Sequence, residues 1–246
     1  MNLYDTTFKR YEKKYMLDSF QRDALLEMIK AHIEPDIYSR YTIQNIYYDT
    51  QNYELIRRSI EKPVYKEKFR VRTYGDASAE DKIFFELKKK YKKEVFKRRV
   101  SLTADDFAEH LSSGYTPDGC TQILGEIDYF MSVYKPVPKV YIAYERAAFS
   151  GRHDAGLRIT FDENIRFRTD DLSFEAGDHG TKILEPGKVL MEIKTIMAMP
   201  FWLSNALNEL KIYPASFSKY GHCYQNYILE TQFDHAKSTS VGKTVA

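Results

Sequence analysis

Phe69-Arg70-Val71-Arg72-Thr73, Ile83-Phe84-Phe85-Glu86-Leu87-Lys88-Lys89-Lys90 and Val95-Phe96-Lys97-Arg98-Arg99-Val100-Ser101-Leu102 decide the fold. Side chains along a β-strand point alternately to its two faces, so Lys68, Arg70 and Arg72 share one face and Phe69, Val71 and Thr73 the other. In the second stretch Glu86, Lys88 and Lys90 stand opposite Ile83, Phe85 and Leu87, and in the third Lys97 and Arg99 stand opposite Phe96 and Arg98. The pattern recurs outward from here. Arg146 alternates with Tyr144 and Ile142, and Arg158, Thr160 and Asp162 alternate with Leu157, Ile159 and Phe161. Most of the strands therefore contribute to one cationic surface.

Neighbouring strands lie about 5 Å apart, and two like charges at that distance repel by roughly 3 kcal/mol at an effective dielectric near 20. Water relieves the repulsion on an open sheet, and a bound polyanion relieves it inside a barrel. Charge runs alone favour the solvated face. Two features favour the polyanion. Carboxylates sit at the same parity inside the basic rows, as in Arg10, Glu12 and Lys14, in Glu86 with Lys88, and in Glu192 with Lys194. Acid and base on one face can hold a divalent metal beside phosphate. The second feature is the number of separate segments that repeat the arrangement.

The chain of 246 residues has no evident linker, and its 43% hydrophobic content, with 20 Tyr and 15 Phe, supplies a packed core. Its net charge of +2 is nearly neutral, so the cations matter by placement. The mean hydropathy of −0.53 excludes an integral membrane protein, and no apolar run reaches the ~18 residues of a span. Cys120 and Cys223 lie far apart, which points to a reducing compartment rather than a disulfide scaffold. With no leader at Met1, these features predict a soluble, cytoplasmic protein.

The expected elements begin with a strand over Phe8 to Met16 and a helix capped by Asp18 with Gln21 in the capping-box position, its apolar stripe being Phe20, Leu25, Met28 and Ile29. A strand over Tyr41 to Asp49 and a short helical turn over Tyr53 to Ile60 lead to an antiparallel meander of Lys66 to Tyr74, Lys82 to Tyr91 and Glu94 to Leu102. Thr103 caps a helix through Phe107 and Leu111, and a second helix spans Thr121 to Tyr134. Strands over Val137 to Phe149, Gly156 to Phe167 and Val189 to Ile196 follow, with a Ser173 to Gly187 loop that reads as a lid or a long connection. Helices over Pro200 to Leu210 and Phe217 to Leu229 close a single domain of residues 1–231, and the polar stretch 232–246 reads as a disordered tail.

The ordered set Arg10-x-Glu12-x-Lys14, Tyr47-Tyr48-Asp49-Thr50, Phe69-Arg70-Val71-Arg72, Phe85-Glu86-Leu87-Lys88, Phe96-Lys97-Arg98-Arg99, Tyr144-Glu145-Arg146, Arg158-Ile159-Thr160, Met191-Glu192-Ile193-Lys194 and Phe217-Ser218-Lys219-Tyr220 resembles the vacuolar transporter chaperone polyphosphate polymerase domain, within the triphosphate tunnel or CYTH-like superfamily. The resemblance covers Phe8 to Leu229. It implies an α+β fold, with an antiparallel barrel of about eight strands forming a tunnel and helices packed outside. It implies that Arg70, Arg72, Lys88, Lys97, Arg99 and Arg146 are catalytic, that Lys14, Arg10, Arg158, Lys194 and Lys219 bind substrate, and that Glu192, with Glu12 and Glu86 as helpers, binds Mn2+ or Mg2+. Arg10 stands where the superfamily's fuller Glu-x-Glu-x-Lys pattern has its first Glu, which counts against a second metal site.

The implied function is a polyphosphate polymerase that moves the γ-phosphate of ATP onto inorganic polyphosphate. An inorganic triphosphatase, a nucleotide cyclase or a noncatalytic polyphosphate-binding module are the alternatives. Nucleic acid is not expected, because Phe69, Phe85 and Phe96 fall on faces away from the cations, where they cannot stack bases. Gly242-Lys243-Thr244 mimics the end of a phosphate loop, but Lys occupies position 237 where its first Gly belongs. The six His show no zinc spacing, Cys223 reads as a buried thiol, and Ser218 as a helix cap.

Overall fold

The computed structural model describes residues 11–75, 82–92, 94–116 and 119–230. Arg10, Lys93, the chain before Tyr11 and the expected tail with Gly242-Lys243-Thr244 lie outside the described residues.

In chain order the elements are β1 (Tyr11–Asp18), α1 (Ser19–Ile29), β2 (Ile33–Asp49), α2 (Glu54–Ile60), β3 (Tyr65–Tyr74), β4 (Ile83–Tyr91) and β5 (Glu94–Leu102). Next come α3 (Ala104–Ser113), α4 (Thr121–Tyr134), β6 (Val137–Gly151), β7 (Arg158–Arg168), β8 (Thr181–Lys182) and β9 (Lys188–Thr195). The described chain ends with α5 (Phe201–Glu209), α6 (Lys219–Cys223) and a π turn, Tyr224–Ile228. The fold is α+β, with one nine-stranded sheet in the order β1-β9-β7-β6-β2-β3-β4-β5 and β8 beside β7. The pairs β1/β9, β7/β9, β7/β8, β3/β4 and β4/β5 are antiparallel. Among the described residues the hydrogen-bonded path is open, with β1 and β5 at its ends, where the sequence predicts a closed barrel.

The chain folds as two compact units, each built from separated segments. The first comprises the chain up to Ile43 with Ala143–Ile165 and Leu184–Ser216. Its core takes one parity from each strand: Tyr15 and Leu17 of β1, Val189, Met191 and Ile193 of β9, and Ile159 and Phe161 of β7, packed against Leu25 and Ile29 of α1 and Leu203, Ala206 and Leu207 of α5. Full burial of such side chains stabilises by about 1.5–3 kcal/mol each. The opposite parity is left for charge.

α1 starts where predicted. The Asp18 carboxylate accepts the Gln21 amide at 2.8 Å, and the Gln21 side-chain oxygen accepts the Asp18 amide at 3.2 Å. Its buried stripe is narrower than expected, being Leu25 and Ile29, one helical turn apart. Phe20 is 87% exposed and Met28 is also exposed. Phe20 lies five residues before Leu25, which rotates it well away from the stripe at 3.6 residues per turn. β2 begins at Ile33, earlier than the predicted Tyr41, because Glu34, Pro35 and Asp36 break the apolar alternation without breaking the strand.

The second unit comprises Gln44–Ile142, Arg166–Ile183 and the chain from Phe217. Phe69 and Val71 of β3, Phe85 and Leu87 of β4, and Val100 and Leu102 of β5 pack against Leu55 of α2 and Leu124, Ile127 and Phe130 of α4. α3 is capped as predicted, with Thr103 Oγ1 accepting the Asp106 amide at 3.0 Å. The Ser173 to Gly187 loop is a fastened connection. The Arg168 guanidinium donates to the carbonyls of Asp171, Ser173, Gly177 and His179 at 2.7–2.9 Å and lies 3.5 Å from the Tyr141 ring centroid. Gly180 then passes so close to β7 that a Cβ would lie 2.5 Å from the Phe167 carbonyl oxygen, with φ at +155°. Only glycine fits there. The closing helix runs where predicted, from Lys219 to residue 230, with a π turn over Tyr224–Ile228.

Candidate functional site

Register in the second unit lines the cations up in rows. Arg70, Glu86 and Arg99 are cross-strand neighbours on β3, β4 and β5, and the next row is Lys68, Lys88 and Lys97. Directly opposed residues of an antiparallel pair share a face, so the predicted parity holds in all three strands.

Glu86 is 2% exposed and is the counter-charge of this face. Arg70 Nε donates to its Oε2 at 2.7 Å, Lys97 Nζ lies 2.6 Å from Oε1, and Arg99 Nε and Arg72 Nε lie 3.4 and 3.9 Å from its oxygens. Burial alone would raise the Glu86 pKa, but Arg70, Arg72 and Lys97 outweigh it and hold the carboxyl well below its usual range. Glu86, expected among the metal helpers, is surrounded by four cations. Each arginine has a further anchor: Arg70 Nη1 donates to Tyr47 Oη at 3.0 Å, Arg72 Nε to Asn45 Oδ1 at 2.8 Å, and Arg99 Nη2 to Tyr74 Oη at 2.8 Å.

The lysine row has no carboxylate in register. Burial first, then Lys66, Lys88 and Arg70, push Lys68 down to about 7. Burial also brings Lys97 down to about 8, with Glu86 opposing and Arg70 and Arg72 assisting. Lys68 Nζ donates to Ser218 Oγ at 3.3 Å, and the same Oγ caps α6 by accepting the Gly221 amide at 3.2 Å. Lys219 opens that helix.

Sequence reading assigned no role to Asp49 or Tyr220. Asp49 is fully buried and accepts the amides of Thr50 at 2.7 Å and of Leu55 and Ile56 at 2.9 Å, fixing α2, together with Tyr220 Oη at 2.9 Å. Burial, then the Asp49 charge, drives the Tyr220 pKa up. The Tyr220 ring stacks on Tyr47 with centroids 5.0 Å apart, which links this buried anchor to the Arg70 guanidinium. Cys223 is buried, with its thiol pushed up by burial, and the His222 ring packs beside Phe217. Neither is set up for chemistry.

The first unit carries its own charged face. Lys14, Glu192 and Thr160 form one row across β1, β9 and β7, and Glu12, Lys194 and Arg158 form the next. Lys14 Nζ donates to Glu192 Oε2 at 2.8 Å and pairs with Glu12, while Lys194 Nζ lies 2.6 Å from Glu192 Oε1. Burial would raise the Glu192 pKa, but Lys194 and Lys14 hold the carboxyl far below its usual range. Arg146 makes a two-pronged pair with buried Asp162, Nε to Oδ1 at 2.6 Å and Nη2 to Oδ2 at 2.8 Å. Arg158 Nη2 donates to Asp36 Oδ2 at 2.7 Å.

One expectation of parity is corrected here. Residues 142, 144 and 146 are two apart and so share a face rather than alternate. The Arg146 guanidinium accordingly lies over the Tyr144 ring, 5.2 Å from its centroid.

The model of the VTC domain family matches residues 9–228. The chain belongs to the VTC domain family. No curated protein matches this VTC domain. Among solved structures it resembles a candidate adenylate cyclase from Bacillus halodurans, 13% identical over 84% of this chain and 92% of that one, with a TM-score of 0.51. It also resembles a candidate adenylyl cyclase from Hippeastrum, described as having a dominant triphosphatase activity, at 14% identity over 86% and 93% of the two chains and a TM-score of 0.48. The Bacillus likeness is one of fold.

In each unit of this VTC domain, helices cover the apolar parity of the strands and the other parity carries the charge. The second unit's face is a fixed set of guanidinium forks beside lysines, of which burial shifts Lys68 and Lys97 down, and such donors suit phosphate oxygens. In the first unit Glu12 and Glu192 turn their carboxylates to the Lys14 ammonium. Hard oxygen donors gathered round a cation suit Mg2+ or Mn2+. Among the described residues no three carboxylate, His or Cys groups come together, so phosphate oxygens and water would complete such a shell.

Proposed function

We propose that this VTC domain, as a single domain over residues 1–231, is a polyphosphate polymerase that transfers the γ-phosphate of ATP to a growing inorganic polyphosphate. The reading rests above all on one observation: the Lys68, Lys88, Lys97 row beside the Arg70, Glu86, Arg99 row, which sets five cations and one carboxylate on one face.

Phosphoryl transfer asks a protein mainly to position groups and to neutralise charge while the attacking and leaving oxygens stand in line. Arg70, Arg72 and Arg99 are positioned by Glu86, Tyr47, Asn45 and Tyr74, so they meet phosphate oxygens already oriented. Lys88 and Lys97 add movable charge. Arg146, held by Asp162, acts in the first unit, where Lys14, Lys194 and Arg158 bind substrate, with Arg10 and Lys219 assigned the same task. Glu192 with Glu12 would hold the divalent metal, and Glu86 orients cations. A bound Mg2+ or Mn2+ supplies charge neutralisation on the phosphate oxygens.

Incubation with ATP and manganese, with products resolved on a gel, tests the reading. A ladder of lengthening polyphosphate is expected. Release of phosphate from tripolyphosphate or ATP without a ladder would assign hydrolysis instead, and tripolyphosphate binding with no turnover would leave a binding module.

A further inference from the structure

The first unit's charged face contains one group that the pairing leaves over. Thr160 is 3% exposed, its Oγ1 is buried, and among the described residues that oxygen has no hydrogen-bond partner. It sits on β7 directly opposite Glu192, in the row that continues to Lys14, so its side chain shares their face. The acceptors beside it are engaged. Both Glu192 oxygens are taken by Lys14 and Lys194, and both Asp162 oxygens by Arg146.

A buried hydroxyl without a partner costs about 1–3 kcal/mol, whereas an apolar group of the same shape would cost nothing of the kind. Valine is that shape, and it is a good strand residue. Threonine at this place therefore carries a loss that a ligand can recover. The O–H can donate to an acceptor that arrives from outside, and the ammonium groups of Lys14 and Lys194 and the Arg158 guanidinium make an anionic oxygen the acceptor the surroundings favour.

We infer that Thr160 is a substrate-binding residue whose hydroxyl donates to a non-bridging phosphate oxygen of a bound triphosphate or polyphosphate. The inference rests on the phosphate-handling function proposed above, and no proton or bond is transferred at Thr160. The hydroxyl holds one oxygen in register with Glu192, which fixes the phosphate relative to the carboxylate assigned to the metal.

Thr160→Val and Thr160→Ser test it in the full chain, through thermal melts of the free protein and calorimetric titration with tripolyphosphate, with and without manganese. Thr160→Val should melt at or above the wild-type temperature, because a desolvated hydroxyl is removed. It should also bind tripolyphosphate at least about ten-fold more weakly, the loss of one hydrogen bond to a charged group. Thr160→Ser should bind as wild type does. A Thr160→Val protein that binds tripolyphosphate as tightly as wild type overturns the role of Thr160 alone. A fall of several degrees in its free-protein melting temperature also overturns it, since the hydroxyl would then be structural. Wild type that fails to bind tripolyphosphate overturns the proposed function as well.

Discussion

Arg70 and Glu86 face each other across β3 and β4, with the guanidinium Nε 2.7 Å from Oε2 of a carboxylate that is 2% exposed. Arg72, Lys97 and Arg99 depend on the same carboxylate. Glu86→Gln should therefore destabilise the free protein by about 3 kcal/mol, the scale of breaking a buried ion pair from one side. Added tripolyphosphate should restore much of the loss by replacing the missing charge. Thermal melts with and without the anion check both parts.

Lys88 and Arg70 should separate stability from activity. Lys88→Ala should lower turnover at least ten-fold, roughly the effect of losing one charge-assisted contact, with a smaller change in the melting temperature of the free protein than Arg70→Ala. Arg70→Ala should lose activity too, but it also takes from buried Glu86 its 2.7 Å guanidinium partner and should cost the fold about 2 kcal/mol. Equal melting temperatures for the two variants would contradict the assignment of Glu86 as the counter-charge of Arg70.

The pH dependence follows from Lys68 at about 7 and Lys97 at about 8. Both lie below the unfolded value near 10.5, so between about pH 7 and 10 the unfolded chain binds more protons than the folded one. These two lysines thus make the free protein more stable as pH rises through that window. A bound polyanion favours the charged lysines and reverses the trend. Calorimetry near pH 8 in buffers of different ionisation enthalpy should show proton uptake when tripolyphosphate binds.

Glu192→Gln should weaken the manganese dependence of activity by ten-fold or more in half-saturating concentration, a typical scale for loss of a metal-positioning group. Tripolyphosphate binding without metal should persist, because Lys14 and Lys194 are released from the carboxylate that now occupies them. A manganese titration of turnover and a metal-free binding isotherm are the two measurements.

Tyr220→Phe removes one hydrogen bond from buried Asp49 and should cost about 1–2 kcal/mol in urea unfolding. Asp49→Ala should cost more, since the amides of Leu55 and Ile56 then lose their acceptor as well.

What the sequence made legible was local. Period-two alternation placed Lys68, Arg70, Arg72, Glu86, Lys88, Lys97 and Arg99 on one face, because a strand's geometry repeats over two residues whatever it pairs with. Caps at Asp18 and Thr103 were equally readable, since each bond spans three residues. Pairings that depend on register were not. Asp49 meets Tyr220 across 171 positions, and the Arg146–Asp162 fork needs two strands set side by side. The arginines on either side of Glu86 come from other strands, so along β4 alone only Lys88 and Lys90 are in view. Alternation put Thr160 on the charged parity, but its unmatched hydroxyl becomes visible only when its surroundings are known.

Arg168 offers a different kind of lesson. Its guanidinium is satisfied by carbonyl groups of the main chain at Asp171, Ser173, Gly177 and His179, none of which titrates. Among the described residues that knot has no counter-ion to lose, so acid and added salt that loosen ordinary ion pairs should leave it tied. Because what it grasps is backbone, the side chains at those four places can be exchanged for others that keep the same path, and the segment can diversify in surface chemistry while holding its form.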